Sequence, residues 1–272
     1  MIEISDKEYR AISEFMGNNY GIKLGEAKKT LIKGRLQNLL TEKKIASFAE
    51  YYDYVINDQS GDALTEMINK VTTNYTYFMR EPKHFDCLRD EVLPYFTKTM
   101  NTKDLRIWSA GCSSGEEAYN IGMVIQDYIK SSNQFINAKI LATDISNRAL
   151  EAAQKAEYLN ENIDTLPLNW RTEYFKMSSN GKSVVDDKIK SMIRLAYLNL
   201  MDPYFPFKKK FHVIFCRNVM IYFDNKSKDD LVERYYDVLE PGGYLFIGHS
   251  EALNRDRTRF KYIKPAIYRK EK

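Results

Sequence analysis

Through the first seventy residues apolar side chains recur every three to four positions, and the elements this spacing predicts are all helical. Ser5-Asp6-Lys7-Glu8 has the form of a capping box, in which serine and glutamate side chains each take an amide proton stranded at the helix start. Tyr9, Ile12, Phe15, Met16 and Tyr20 follow at helical spacing, and the run ends near Gly21. A second helix is expected over Glu26–Lys43. Ser47-Phe48-Ala49-Glu50 opens a third like the first, with Phe48, Tyr51, Tyr52, Val55 and Ile56 on one side, and Leu64, Met67, Ile68 and Val71 mark a fourth. No alternating run interrupts them, so residues 1–72 predict a small all-helical domain.

Residues 73–100 read as a polar and aromatic connector, followed by a linking helix that starts at Pro82 and carries Phe85, Leu88, Val92, Leu93 and Phe96. Proline suits a first helical turn because its missing amide would have had no partner there. From residue 101 the texture changes. Short apolar runs at 105–110, 138–143, 193–198, 211–216, 244–247 and 263–269 predict strands, with helices expected at 116–129, at 147–157 and around Leu231, Tyr235, Val238 and Leu239. Strands alternating with helices predict an α/β fold with a mostly parallel sheet. Residues 158–191 break the alternation; the turn signal Ser178-Ser179-Asn180-Gly181-Lys182 predicts a small inserted hairpin element.

Composition narrows the function. Of 272 residues 44% are hydrophobic, enough for a packed core. No run approaches the roughly 20 apolar residues that span a bilayer, so no membrane insertion is expected. The polar start MIEISDKEYR does not resemble a secretory leader. Three scattered cysteines and three histidines exclude a disulfide scaffold and argue against a clustered metal centre. A net charge of +4 is too small for a nucleic-acid binder, but its distribution is uneven. Within residues 23–44, Lys23, Lys28, Lys29, Lys33, Arg35, Lys43 and Lys44 face only Glu26 and Glu42, whereas 45–72 is acidic. That stretch is either solvated surface or a dock for an acidic partner.

In parallel sheets ligands sit beyond the carboxyl ends of the strands. Here the first strand runs into Ala110-Gly111-Cys112-Ser113-Ser114-Gly115-Glu116-Glu117. The spacing is not that of a dinucleotide loop, and two carboxylates at the helix start would repel a pyrophosphate. A sulfonium or an amino group would not be repelled, which favours S-adenosylmethionine over a nicotinamide dinucleotide. The alternative is a plain strand-to-helix turn, whose acids are stabilised by the helix dipole in any case. Asp144, closing the second strand, could take both hydroxyls of a ribose, or could simply cap the next helix as an Asx turn.

Four segments carry a resemblance. Thr73-Asn74-Tyr75-Thr76-Tyr77-Phe78-Met79-Arg80-Glu81, Trp108 to Glu117, Ala142-Thr143-Asp144-Ile145 and Phe215-Cys216-Arg217-Asn218-Val219-Met220-Ile221-Tyr222-Phe223-Asp224 resemble the CheR-type chemotaxis receptor methyltransferases, and Gly248-His249-Ser250-Glu251 agrees with them. Met79 and Ala118 stand where the family often has Phe and Pro. The resemblance implies a Rossmann-like S-adenosylmethionine-dependent methyltransferase domain over 101–272, with the 158–191 insert as a small β-subdomain; in some members that subdomain binds a receptor tail, and its shortness here argues against tail binding. It further implies that Asn74, Thr76 and Arg80 contact the cofactor from the connector, and that Gly111 belongs to the cofactor loop. Glu117, rather than Glu116, and Asp144 would bind its amino-acid end and ribose. Asn199 and Leu200 would lie beside the adenine, Arg217 and Asn218 would line the far wall, and Tyr222 would sit near the transferred methyl. The implied reaction is methyl transfer to receptor glutamates, with S-adenosylhomocysteine as product and no metal. The implied setting is a cytoplasmic, monomeric enzyme whose partner is the helical cytoplasmic region of chemotaxis receptors, recognised by the helical domain.

The residues suit that chemistry. A glutamate carboxylate with a reference pKa of about 4.3 is already the nucleophile near neutral pH, so no general base is needed. Arg80 can hold a carboxylate bidentately; in another context it would pair with Glu81 or Asp86 at the surface. Tyr222 can position a carboxylate or be a core tyrosine. Cys112 and Cys216 read as small buried apolar groups, and His249 as structural. Two other classes compete. A nucleic-acid methyltransferase would be expected to carry Asn-Pro-Pro-Tyr where this chain has Arg217-Asn218-Val219-Met220. A non-catalytic cofactor sensor would differ only in lacking turnover.

Overall fold

The computed structural model describes residues 2–72, 75–178 and 180–271. They form two compact units. The first holds the N-terminal residues through Tyr75 together with 199–201 and 222–228; the second holds 76–198, 202–221 and 229–272.

The helical unit contains α1 (Asp6–Tyr20), α2 (Lys29–Glu42, entered through a 3₁₀ turn at Glu26–Lys28), α3 (Phe48–Asn57) and α4 (Asp62–Val71). The capping box at Ser5 is complete: Glu8 N–H donates to Ser5 Oγ at 3.3 Å and Ser5 N–H to Glu8 Oε2 at 2.8 Å. At α3 only half of the expected box forms. Glu50 N–H donates to Ser47 Oγ, but the Glu50 carboxylate accepts from Ala46, one residue further back. Gly21, with φ +67°, closes α1. The apolar stripes of all four helices meet in a core that includes Tyr9, Ile12, Met16, Ile32, Leu36, Phe48, Tyr51 and Met67.

In the larger unit α5 (Pro82–Cys87) starts at the expected proline and continues through two π-helical turns, Leu88–Val92 and Tyr95–Thr99. Strands β1 (Asp104–Ala110) and β2 (Asn137–Asp144) flank α6 (Glu116–Ser132), and α7 (Asn147–Lys155) follows β2. The insert is richer than a hairpin. Strands β3 (Glu157–Leu159), β4 (Phe175–Met177) and β5 (Lys182–Val185) form an antiparallel sheet in the order β3-β5-β4. The short helices α8 (Asn160–Ile163), α9 (Leu168–Tyr174) and α10 (Asp187–Lys190) lie between and after them. Alternation over three-residue strands is too brief to be read from sequence.

The main sheet is completed by β6 (Ile193–Tyr197), β7 (Phe211–Cys216), β8 (Leu239–Ile247), β9 (Lys261–Lys264) and β10 (Ile267–Arg269), with α11 (Asn225–Val238) before β8. Its order is β6-β2-β1-β7-β8-β10-β9. The first five strands pair in parallel and β10 pairs antiparallel with both neighbours. The single strand expected at 263–269 is therefore a hairpin, turned at Ala266 with φ +63°. Strand β8 starts earlier than its apolar run, because Pro241-Gly242-Gly243 is absorbed as an irregularity in its pairing with β7.

The chain leaves β1 toward β2 on one side and returns to β7 on the other. That switch point opens a crevice at the carboxyl ends of the strands. Residues 110, 144, 216 and 247 all end at that edge, above a core in which Phe215 and Phe246 stack at 4.4 Å between ring centroids.

Candidate cofactor site at the strand ends

The loop after β1 is forced into shape by its backbone. Gly111, Ser113 and Gly115 have φ of +89°, +49° and +97°, and Gly111 and Cys112 N–H both donate to Thr143 O, tying the loop to the end of β2. A Cβ at Gly111 would collide with the Val219 side chain, and one at Gly115 would lie 2.9 Å from the Tyr119 ring and 3.0 Å from Ala153 Cβ. Both glycines thus allow close approach: one of the turn after β7, the other of α7.

Asp144 lies under this loop. Its Oδ2 accepts from Ser113 N–H at 2.7 Å and its Oδ1 from Ser146 N–H at 2.9 Å. The Asx-turn role is real, but an ionised carboxylate offers about four lone-pair sites, so acceptor capacity remains. Burial pushes its pKa up, and the backbone amides of Ser146 and Ser113 pull it back only in part.

The two acids at the head of α6 separate by environment. Glu116 folds onto its own loop, both oxygens accepting from Ser114 Oγ. Glu117 enters the strand-end cluster: Oε1 accepts from Ser109 Oγ at 2.7 Å and Oε2 from Arg217 Nη1 at 3.1 Å. Burial raises its pKa, opposed mainly by Arg217.

Arg217 is the hub. Its side chain is only 2% exposed and joins Glu117 to Glu81, whose Oε2 lies 3.1 Å from Nη2. It also donates to Arg80 O and stands over the Phe85 ring. Burial works against ionised Glu81, but Arg217 and the His249 amide outweigh it, and the net shift is downward. Asn218, with φ +59°, donates its N–H to Glu251 Oε2, and the Glu251 carboxylate also accepts from Gly248 and Ile221. Glu251 thus ties the turn after β7 to the turn after β8. Of the acids weighed as surface partners for Arg80, Glu81 is held by Arg217 and Asp86 by Arg89. Arg80 itself lies 6.0 Å from the Tyr77 ring centroid.

Sequence reading passed over Glu81, Ser109 and Glu251 as site residues. Glu81 directly follows Arg80 in the first recognisable segment, and Glu251 closes the last, but no spacing signals a bridge to residue 217 across 136 positions. His84 was missed too. It is 1% exposed, holds its imidazole neutral with a pKa near 3 through burial beside Arg217, and packs 4.8 Å from the His249 ring. Glu81, His84 and His249 are the group of potential metal ligands found among the described residues. The guanidinium on the Glu81 carboxylate opposes a divalent cation there by like-charge repulsion.

The other expected residues fall as follows. Asn74 lies outside the described residues, and Thr76 is half-buried on the connector. Asn199, Leu200 and Tyr222 group with the helical unit: Asn199 Nδ2 donates to Asn19 O at 2.9 Å, and Tyr222 O accepts from Lys23 N–H at 2.8 Å. The three cysteines are free and buried, as space-filling groups should be. The basic stretch is less free than its sequence suggests. Lys29 pairs with Asp6, Lys33 with Glu3 and Lys43 with Glu66, while Arg35 caps the end of α4 at Val71 O.

A helical domain followed by a doubly wound sheet, with a glycine turn and acids at its switch point, defines a nucleoside-binding enzyme of the S-adenosylmethionine-dependent methyltransferase class. Residues 74–268 match the family described as "CheR methyltransferase, SAM binding domain", and residues 7–72 match "CheR methyltransferase, all-alpha domain". The chain belongs to the CheR methyltransferase family. It is 43% identical to a chemotaxis protein methyltransferase of Borreliella burgdorferi, covering 99% of this chain and 96% of that protein. It is 35% identical to chemotaxis protein methyltransferase 1 of Pseudomonas aeruginosa, covering 95% of each. A probable chemotaxis protein methyltransferase of Rhizobium etli is also 35% identical, over 92% of this chain and 97% of that protein.

Proposed function

We propose that the protein transfers the methyl group of S-adenosylmethionine to glutamate carboxylates of chemotaxis receptors, forming methyl esters and S-adenosylhomocysteine. The observation that carries this reading is the pair of partly buried acids, Glu117 at the head of α6 and Asp144 under the glycine turn, within a CheR cofactor domain. The donor set suits the molecule: Asp144 keeps lone pairs for a ribose diol, and two carboxylates around one guanidinium leave a surplus negative charge for an ammonium group. S-adenosylmethionine, when bound, supplies a sulfonium-linked methyl that an ionised carboxylate can take directly, a C–O bond forming as the C–S bond breaks and its electron pair stays on sulfur.

The chain's own residues bind and orient. Glu117 and Asp144 hold the amino-acid end and the ribose, Arg217 and Asn218 form the far wall, and Gly111 leaves room for the turn at Val219. Asn74, Thr76 and Arg80 contribute from the connector, and Asn199 and Leu200 from the segment after β6. Arg80 and Tyr222 receive and align the incoming carboxylate. Alignment and removal of water can account for about 7–11 kcal/mol of barrier lowering in favourable cases. The helical unit takes the receptor's cytoplasmic helices, and the enzyme acts as a cytoplasmic monomer; among the described residues no helix is long and apolar enough to cross a membrane. Incubation with radiolabelled S-adenosylmethionine and chemoreceptor membranes tests the reading. Base-labile label on the receptor is expected, and base-stable label or none would overturn it.

A further inference from the structure

We infer that Glu81 is a positioning residue of the cofactor site, acting through Arg217; the inference rests on the cofactor reading above. Four donors from two distant segments, 217–218 and 249, converge on this one carboxylate. Oε2 receives Nε and Nη2 of Arg217 at 3.3 and 3.1 Å, and Oε1 receives His249 N–H at 3.2 Å and Asn218 Nδ2 at 3.5 Å. The remaining amine of the guanidinium, Nη1, points to Glu117. A planar guanidinium offers its donors in a fixed fork, so clamping one edge on Glu81 sets the direction of the other. Glu81 thereby fixes where Arg217 can present Nη1 and how the Glu117 carboxylate is turned.

The backbone points the same way. Glu81 has φ +54° and ψ +65°, a left-handed conformation, directly before Pro82. A non-glycine residue there is strained and persists only where its surroundings over-determine it, and such residues collect at functional sites. A glycine would relieve that strain and cap α5 equally well. The side chain is what a glycine would lack, and its partners are the residues of the strand-end cluster. Glu81 acts without touching the cofactor: it holds the group that orients the residue which does.

The test is calorimetry of the full chain with S-adenosylhomocysteine, beside initial rates on receptor membranes and thermal melts. Glu81→Gln keeps the size and an acceptor for His249 but removes the charge; Glu81→Asp keeps the charge at shorter reach. Residues that orient metal ligands typically cost about 10–100-fold in affinity when changed, and an effect of the same order is expected for one that orients Arg217. Glu81→Gln should therefore weaken S-adenosylhomocysteine and raise KM for S-adenosylmethionine by that factor, with kcat at saturating cofactor moving far less and a lower melting temperature accompanying the lost charge. Glu81→Asp should fall between it and wild type. In an Arg217→Gln background the Glu81→Gln change should add little, because its route of action is already gone. Wild-type affinity in Glu81→Gln, or losses from Glu81 and Arg217 that multiply independently, would overturn the inference while leaving the cofactor reading intact. Absence of any binding by wild type would remove the cofactor reading and the inference with it.

Discussion

The same residue types behave in opposite ways in the two units. On the helical unit, Glu3 and Asp6 lie in solvent, and hydrogen bonding and charge from Lys33 and Lys29 lower their pKa values. At the strand ends of the larger unit, burial raises Glu116, Glu117, Asp144 and Glu251 above their ordinary values despite their hydrogen bonds. The exposed acids gain from being charged. The enclosed acids are charged at a cost. The first arrangement suits a surface that exchanges one ionic partner for another; the second suits a pocket that waits for a defined ligand.

The largest effect that can break this contrast is on Arg217. Removing one member of a buried ionic cluster typically costs about 3–5 kcal/mol, since the partners stay buried and unpaired. Arg217→Ala should lower stability by that amount in denaturant melts, whereas Lys29→Ala should leave the melting curve in place. Equal, small effects would mean that the strand-end cluster is as solvated as the surface. Asp144→Ala comes next. Hydrogen bonds to a charged group are worth about 1.5–3 kcal/mol each, and two to a ribose would make the loss of S-adenosylhomocysteine affinity roughly 100-fold or more. Since Asp144 also holds Ser113 and Ser146, some loss of stability should accompany it, and Asp144→Asn should retain more of both.

How much of this was legible beforehand follows from where each signal resides. Helices and long strands were legible because burial imposes a period on many residues at once, as in Tyr9, Ile12 and Met16 or in the fully buried β7. The three short strands of the insert and the β9–β10 hairpin were not, because three or four residues carry too little periodicity. Among the candidate site residues, those in local turns carry a sequence signal: Gly111, Glu117 and Asp144 share one loop system, and the structure sets Glu117 beside Arg217. Glu81 could not be paired with Arg217, since only the folded sheet sets them side by side. The basic stretch misled in one respect, because Asp6 and Glu3, which neutralise Lys29 and Lys33, lie more than twenty residues away.

Acidification sharpens the comparison further. For Glu117 and Asp144, pKa values raised in the folded protein mean that protons are taken up at higher pH than in the unfolded chain. Their contribution to stability is greatest below the unfolded value and is lost as pH rises through the folded one. Under the proposed cofactor binding, ligand affinity runs the other way, because it would need both acids ionised. The groups facing them are Arg217, Glu81, Cys112 and Glu116, with His84 staying neutral through this range. Affinity for S-adenosylhomocysteine should therefore fall on acidification already above pH ~4.3, the ordinary glutamate value. Calorimetry across a pH series checks this, and a limb below that value would contradict the burial argument.

A smaller effect is expected from the helical surface. Reversal of Lys28, Lys29 and Lys33 to Glu should leave cofactor binding untouched but slow methylation of intact receptors, by on the order of tenfold at low salt if charge steers the encounter. The defect should shrink as salt rises, since exposed charges are screened over about 8 Å near physiological ionic strength. No change at low salt would mean that the lysines serve only Asp6 and Glu3.

The smallest effect expected is at Tyr222, which ends the 3₁₀ turn Met220–Tyr222. Its backbone carbonyl accepts from Lys23, a contact that Tyr222→Phe preserves along with the volume of the ring. Only the hydroxyl is lost. If that hydroxyl aligns the incoming carboxylate, one hydrogen bond worth about 1 kcal/mol disappears, a roughly fivefold fall in turnover. An interaction made mainly in the transition state lowers kcat and kcat/KM together and leaves cofactor affinity alone. A tyrosine serving only the fold would show the reverse, a lower melting temperature with activity falling in step with folded protein. Rate, affinity and melting temperature measured on one preparation separate the two, and an unchanged rate would confine carboxylate alignment to Arg80.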